Sequence, residues 1–198
     1  MALKHRIVVL ASGRGSNFCA IADAIAQGHL LSAEIVGLIS NKAKSPALAE
    51  AKSREIPTYL VESASYRKDG SFDRTQYEKE LLTLLIKLRP DLILLAGYML
   101  VLGKEIIKSF PQKIINIHPS LLPKFRGLHA QKQALDSGEQ ETGCTVHWVN
   151  DELDGGETIL QAKTPIFAGD TEESLSRRLL PIEHKTYIAA LKIVLTHR

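Results

Sequence analysis

Cysteine is nearly absent from this sequence. Cys19 and Cys144 are the only two, and their separation offers neither a disulfide framework nor the closely spaced ligands of a cysteine-rich zinc site. Both are expected as reduced thiols. Blocks of like charge are missing too: 25 basic and 22 acidic residues are scattered along 198 positions, leaving a formal net charge of +3. That excludes the long basic stripe of a nucleic-acid-binding surface. No apolar run reaches the roughly 18 residues a membrane helix needs. The stretch from Met1 to Arg6 lacks the h-region and small-residue cleavage site of a signal peptide. A cytoplasmic protein with small-molecule substrates, no nucleic acid and no membrane is the expectation.

What is present is an ordinary globular composition, 44% hydrophobic and 24% charged, at a length that suits one compact domain over residues 1–198. Short apolar runs alternate with longer helix-period stretches, the one-dimensional signature of a parallel sheet covered by helices. Strands are expected at Arg6 to Ala11, Glu34 to Ser40, Pro57 to Val61, Asp91 to Ala96 and Lys113 to Ile117. Helices are expected from Ser16 to Gln27, stopped by Gly28, and from Ser45-Pro46 to about Arg54, with Ser45 as N-cap. A long amphipathic helix is expected over Ser71 to Leu88, and a short one near Gly103 to Phe110.

After residue 117 the pattern changes. A Pro- and Gly-containing loop from His118 to Gly127 precedes a helix near Ala130 to Ser137 and two strands, Cys144 to Val149 and Thr158 to Ile166, read as antiparallel. Asp170-Thr171-Glu172-Glu173 reads as a capping box opening a C-terminal helix that Pro181 should kink. The fold class is therefore α/β: an open, mostly parallel twisted sheet of Rossmann-like type with an antiparallel C-terminal part.

Two loops carry chemistry. Ser12-Gly13-Arg14-Gly15-Ser16-Asn17 lies between the first strand and first helix, where backbone NH groups can receive an anion. A tight turn capped by Ser16 or Asn17 is the plainer reading. Phe18 stands where a dinucleotide fingerprint needs its third glycine, and Ser40-Asn41-Lys42 supplies no carboxylate for a ribose diol. A phosphate monoester suits the turn better than NAD. In the second region, strand alternation puts Asn116 and His118 on one side at a carboxyl end, where an amide and an imidazole can serve a carbonyl oxygen that becomes negative. The loop Asn150-Asp151-Glu152-Leu153-Asp154-Gly155-Gly156 offers several carboxylates, and from the residues alone any of them could partner His118.

These stretches resemble the phosphoribosylglycinamide formyltransferase family, folate-dependent enzymes of purine synthesis. The likeness rests on Val8 to Asn17, on Asn116-Ile117-His118-Pro119-Ser120-Leu121-Leu122-Pro123, and on Gly143-Cys144-Thr145-Val146-His147 through Asp154-Gly155-Gly156, in the family's order. The resemblance implies transfer of formyl from 10-formyltetrahydrofolate, a consumed cosubstrate, to the amine of phosphoribosylglycinamide, with no metal.

Carried over by position, it makes Asn116, His118 and Asp154 catalytic, Asp154 favouring the imidazolium form of His118. Gly15, Ser16 and Asn17 would bind phosphate, and Glu183 the ribose hydroxyls. Arg74, Met99, Leu100, Val101, Leu102 and Asn116 would meet the folate. The implied division is a phosphate- and ribose-binding N-terminal half and a folate-binding, catalytic C-terminal half, in a monomer or homodimer. Leu100 stands where some relatives carry Arg, and the stretch from Ser63 to Phe72 is longer than the family pattern. Arg126-Gly127 is similar to the sibling that formylates initiator tRNA. The chain length favours neither that sibling, with its added tRNA domain, nor the formylfolate hydrolase, with its regulatory domain.

Overall fold

The computed structural model describes residues 4–196 and divides into two compact units, Met1–Ile114 and Ile115–Arg198. The outermost positions of the expected 1–198 domain therefore lie outside the described residues.

The first unit is built on four mutually parallel strands in the order β3-β2-β1-β6: β1 (His5–Leu10), β2 (Ala33–Ser40), β3 (Thr58–Leu60) and β6 (Leu92–Leu95). β1 and β6 pair from Ile7↔Leu92 to Leu10↔Leu95. Ile7, Val8, Val9, Leu10, Leu92, Ile93 and Leu94 are wholly buried, as unbroken apolar runs in a parallel sheet should be. Each such side chain contributes about 1.5–3 kcal/mol by leaving water. The connections are α1 (Ser16–Ala26), α2 (Pro46–Ser53), α3 (Arg74–Leu88) and α4 (Lys104–Ser109). Tyr77, Leu81, Leu85 and Leu88 form the buried stripe of α3, set by i, i+4 spacing.

Ser45 is the N-cap residue of α2 with Pro46 following, as expected, but its hydroxyl donates to the Gly13 carbonyl at 2.8 Å and makes no cap bond. It therefore ties α2 to the glycine-rich turn. The helix expected from Ser71 instead begins at Arg74, because Asp73 caps it by accepting from the Gln76 amide at 3.0 Å. The residues before it form a 3-10 turn (Ser63–Tyr66) and a two-stranded hairpin, β4 (Arg67–Lys68) with β5 (Ser71–Phe72). An aromatic cluster holds this segment: Tyr66 meets Tyr77 edge-on at 5.4 Å, Phe72 lies 5.5 Å from Tyr77, and the Arg67 guanidinium sits 5.4 Å over Phe72. Such contacts are worth about 0.5–1.5 kcal/mol each beyond burial.

The second unit begins in β7 (Ile114–His118), followed by α5 (Ala130–Asp136), β8 (Glu141–Trp148), β9 (Thr158–Pro165) and α6 (Glu172–Thr196). β7, β8 and β9 pair antiparallel. Helix α6 packs on β8 and β9, and the buried Tyr187 hydroxyl donates to the Ile115 carbonyl at 3.0 Å, fixing α6 to β7. The capping arrangement is shifted one residue from the expected box. Thr171 and Ser174 bond reciprocally, each side chain accepting from the other's backbone NH at 3.1 and 2.9 Å. Asp170 is instead taken by the Phe167 amide, the Ser174 hydroxyl and the Arg178 guanidinium. The Arg178 bond, first among these, holds its carboxyl well below the usual range. The helix continues through Pro181 as one element.

Candidate active site

The glycine-rich turn of the first unit is shaped by packing. Gly15 sits at the N-terminus of α1 with φ +76°, and a Cβ there would lie 2.6 Å from that of Ala47. Both left-handed geometry and space demand glycine. Its carbonyl accepts the first helical bond from Cys19 at 2.8 Å. Ser12 couples the turn to the chain after β6: its amide donates to Gly97 O at 3.1 Å, its hydroxyl accepts from Met99 N at 2.9 Å and donates to Asn41 Oδ1 at 2.6 Å. Phe18 is completely buried, so the ring at the third fingerprint position fills the core. Gly15→Ala is expected to destabilise the protein by roughly 2–4 kcal/mol, from left-handed strain plus overpacking. Urea unfolding would measure it, and a loss below 0.5 kcal/mol would show that the turn adapts.

Met99 and Val101 are exposed and Leu102 is buried, with Leu100 between these extremes. Arg74, at the start of α3, bonds Glu78 at 2.6 Å and donates to the Val101 carbonyl at 2.8 Å. It thus holds the segment 99–102 in place.

The second unit assembles the amide, imidazole and carboxylate. Asn116 and His118 lie two apart on β7 and share a side, opposite His147 and Thr145 of β8. Asp154 comes from the 149–156 loop and occupies a left-handed conformation, φ +49°. Its Oδ2 lies 3.4 Å from His118 Nδ1 and accepts the Gly127 amide at 2.9 Å; its Oδ1 is 3.4 Å from Asn116 Nδ2 and 3.7 Å from His147 Nε2. His118 and Asp154 side chains are only 7% and 8% exposed, so water screens their attraction poorly. His118 Nε2 lies 2.8 Å from the Phe125 carbonyl. Each ring nitrogen thus faces an acceptor, and only the imidazolium form can donate to both.

Among the loop carboxylates, geometry selects Asp154. Glu152 pairs with Arg126, so the arginine that resembles the tRNA-formylating sibling serves as a link between two loops of this unit. Asp151 is exposed. Gly156 lets the loop close: a Cβ there would stand 1.7 Å from the Trp148 carbonyl oxygen, while Trp148 N donates to Glu157 O at 2.9 Å.

The motif Gly143 to His147 also acquires a physical reason. Thr145 and His147 share the face toward β7's functional side chains. The Thr145 hydroxyl donates to Ser120 O at 2.7 Å and accepts from Leu122 N at 3.0 Å, pinning the loop that follows His118. His147 has no assigned task in the sequence, although the Thr-x-His alternation on a strand was the available signal. It lies 3.2 Å from Asn116 Nδ2. Glu183 is half-buried on α6 near Cys144, whose thiol burial pushes up to about 11. Among the described residues no cluster of His, Cys, Asp or Glu is arranged to hold a metal, and no helix is long and apolar enough to cross a membrane.

A formyl-transfer class fits an amide–imidazole–carboxylate group at a strand end, and the chain belongs to the formyl transferase family, whose pattern matches residues 5–191. Phosphoribosylglycinamide formyltransferase of Escherichia coli (strain K12) is 41% identical over 181 residues, covering 91% of this chain and 82% of that protein. Trifunctional purine biosynthetic protein adenosine-3 of Drosophila pseudoobscura pseudoobscura is 44% identical over 194 residues, 96% of this chain, which spans 14% of that protein's length. Glycinamide ribonucleotide transformylase 1 from Symbiobacterium toebii superposes with a TM-score of 0.92 at 39% identity, covering 98% of this chain and 89% of that one. The mostly parallel α/β class with an antiparallel C-terminal part, expected from the sequence, is the fold shared with that structure.

Proposed function

We propose that this chain transfers the formyl group of 10-formyltetrahydrofolate to the amine of 5-phosphoribosylglycinamide, a step of de novo purine synthesis. The observation that carries the reading is the convergence of Asn116, His118 and Asp154, with His118 facing an acceptor at each ring nitrogen. The neutral amine attacks the formyl carbon, forming the new N–C bond while the carbonyl electron pair moves to oxygen. Asn116 N–H and the His118 imidazolium stabilise that oxyanion, and Asp154 keeps His118 charged and oriented. The intermediate collapses by breaking the bond to folate N10, which takes up the proton lost by the amine. The folate is consumed as a cosubstrate, and no step calls for a metal.

In this reading Gly15, Ser16 and Asn17 receive the phosphate at the α1 N-terminus, and Glu183 holds the ribose hydroxyls. Arg74 and the 99–102 segment, with Asn116, serve the folate. The chain acts as one functional domain over 1–198, as a cytoplasmic monomer or homodimer. Arg74 and the 99–102 segment lie in the first compact unit and Glu183 in the second.

Formylfolate consumption should depend on phosphoribosylglycinamide and yield formylated product in equal amount. Release of formate in its absence would assign a hydrolase instead. Ser16→Asp is expected to weaken phosphoribosylglycinamide at least about tenfold, because a fixed negative charge replaces a hydroxyl beside amides that receive a dianion. Folate affinity should stay within about twofold. Equal weakening of both ligands in calorimetry would count against the phosphate placement.

A further inference from the structure

His147 is 2% exposed, and its two nitrogens meet different partners. Nδ1 lies 2.9 Å from the carbonyl oxygen of Trp148, a group that can only accept. Nδ1 therefore carries the proton. Burial lowers the pKa of this histidine, against the smaller opposing effects of the Trp148 carbonyl and the Asp154 charge, while the nearby His118 and Arg126 charges lower it further. A neutral ring protonated at Nδ1 leaves Nε2 as an acceptor, and the nearer of the two atoms facing it is Asn116 Nδ2 at 3.2 Å, with Asp154 Oδ1 beyond at 3.7 Å.

We propose that His147 is a positioning residue whose Nδ1–H tautomer, set by the Trp148 carbonyl, fixes which way the Asn116 amide faces. With one amide N–H accepted by His147, the other is directed toward Asp154 Oδ1. That contact is 3.4 Å long, a stretched bond that a developing oxyanion can replace. The opposite tautomer would present N–H to Asn116, turn the amide over and aim its carbonyl oxygen at the reacting centre, where it would repel the charge. The cross-strand register Asn116↔His147 builds this relation into the sheet, so the orientation precedes substrate binding. The inference rests on the proposed formyl transfer for its catalytic consequence but not for its geometry.

Long-range 1H–15N correlation NMR of the ligand-free wild-type protein near neutral pH reads the tautomer without any substrate. The expected spectrum shows His147 protonated at Nδ1 and bare at Nε2; an Nε2–H tautomer or an imidazolium overturns the proposal. In kinetics, His147→Phe should lower kcat about 10- to 100-fold with KM for both substrates within about threefold. His147→Gln, whose side-chain oxygen can reach the place of Nε2, should recover at least tenfold of that loss or most of it. Unchanged kcat in His147→Phe, or a loss carried by KM alone, contradicts the positioning role. If His147→Phe fails to fold, the wild-type tautomer and His147→Gln kinetics decide. A wild-type protein with the expected tautomer but no formyl transfer would sink the functional reading and leave this hydrogen-bond assignment standing.

Discussion

Asp154→Asn is expected to lower kcat by about 10²- to 10⁴-fold while KM for either substrate moves less than about threefold. The substitution is isosteric, and Asn tolerates the left-handed backbone at this position, φ +49°. An amide oxygen can still accept from Gly127 N, now 2.9 Å from Oδ2, so the loop retains its anchor. What disappears is the negative charge 3.4 Å from His118 Nδ1, on which the role proposed for Asp154 depends. Steady-state kinetics with a thermal melt separates the effects. Wild-type turnover would reduce Asp154 to a turn residue, and a melt lowered in proportion to the lost rate would make the effect structural.

His118→Gln should cost about 10²- to 10⁴-fold in kcat as well, since an amide cannot carry the charge. Combined with Asp154→Asn, it should lose little beyond the worse single variant, because residues acting as one unit are strongly non-additive. Multiplicative losses in the double variant would mean that the two side chains act independently, against the His118–Asp154 coupling.

Much of this architecture was legible because it depends on local patterns. The apolar runs at Ile7–Leu10 and Leu92–Leu95 are wholly or nearly wholly buried parallel strands, and the alternation of Asn116 with His118 correctly placed both on one side of β7. The errors arose where several elements compete for one polar side chain. Ser45 does occupy the N-cap of α2, yet its hydroxyl goes to the carbonyl that Gly13 offers from a turn thirty-two residues earlier in the chain. Asp170 matched a capping position, yet Arg178, one face along α6, claims the carboxylate. Asp73 and the Tyr66–Phe72–Tyr77 cluster fixed the start of α3 later than its apolar periodicity suggested.

The site shows the same division. Sequence spacing narrowed the carboxylate to a short loop, and family resemblance named Asp154, but the distinction from Asp151 and Glu152 lies in three-dimensional neighbours: the Gly127 amide and His118 for one, Arg126 for another. His147 falls within a family motif yet has no role legible in the sequence, because a histidine inside a strand carries no signal of its partner. Only the antiparallel register sets it opposite Asn116. Likewise, nothing in the order of residues reveals that Arg74 reaches the Val101 carbonyl.

The central claim is that the reacting carbon is processed between Asn116 and His118. Its most direct measurement is a crystal structure with phosphoribosylglycinamide joined to a folate analogue whose hydrated carbonyl imitates the tetrahedral intermediate. The account predicts one oxygen of that carbon about 2.7–3.1 Å from Asn116 Nδ2 or a His118 ring nitrogen, with Asp154 still beside His118. A hydrated carbon bound beyond hydrogen-bonding reach of both Asn116 and His118 would contradict it.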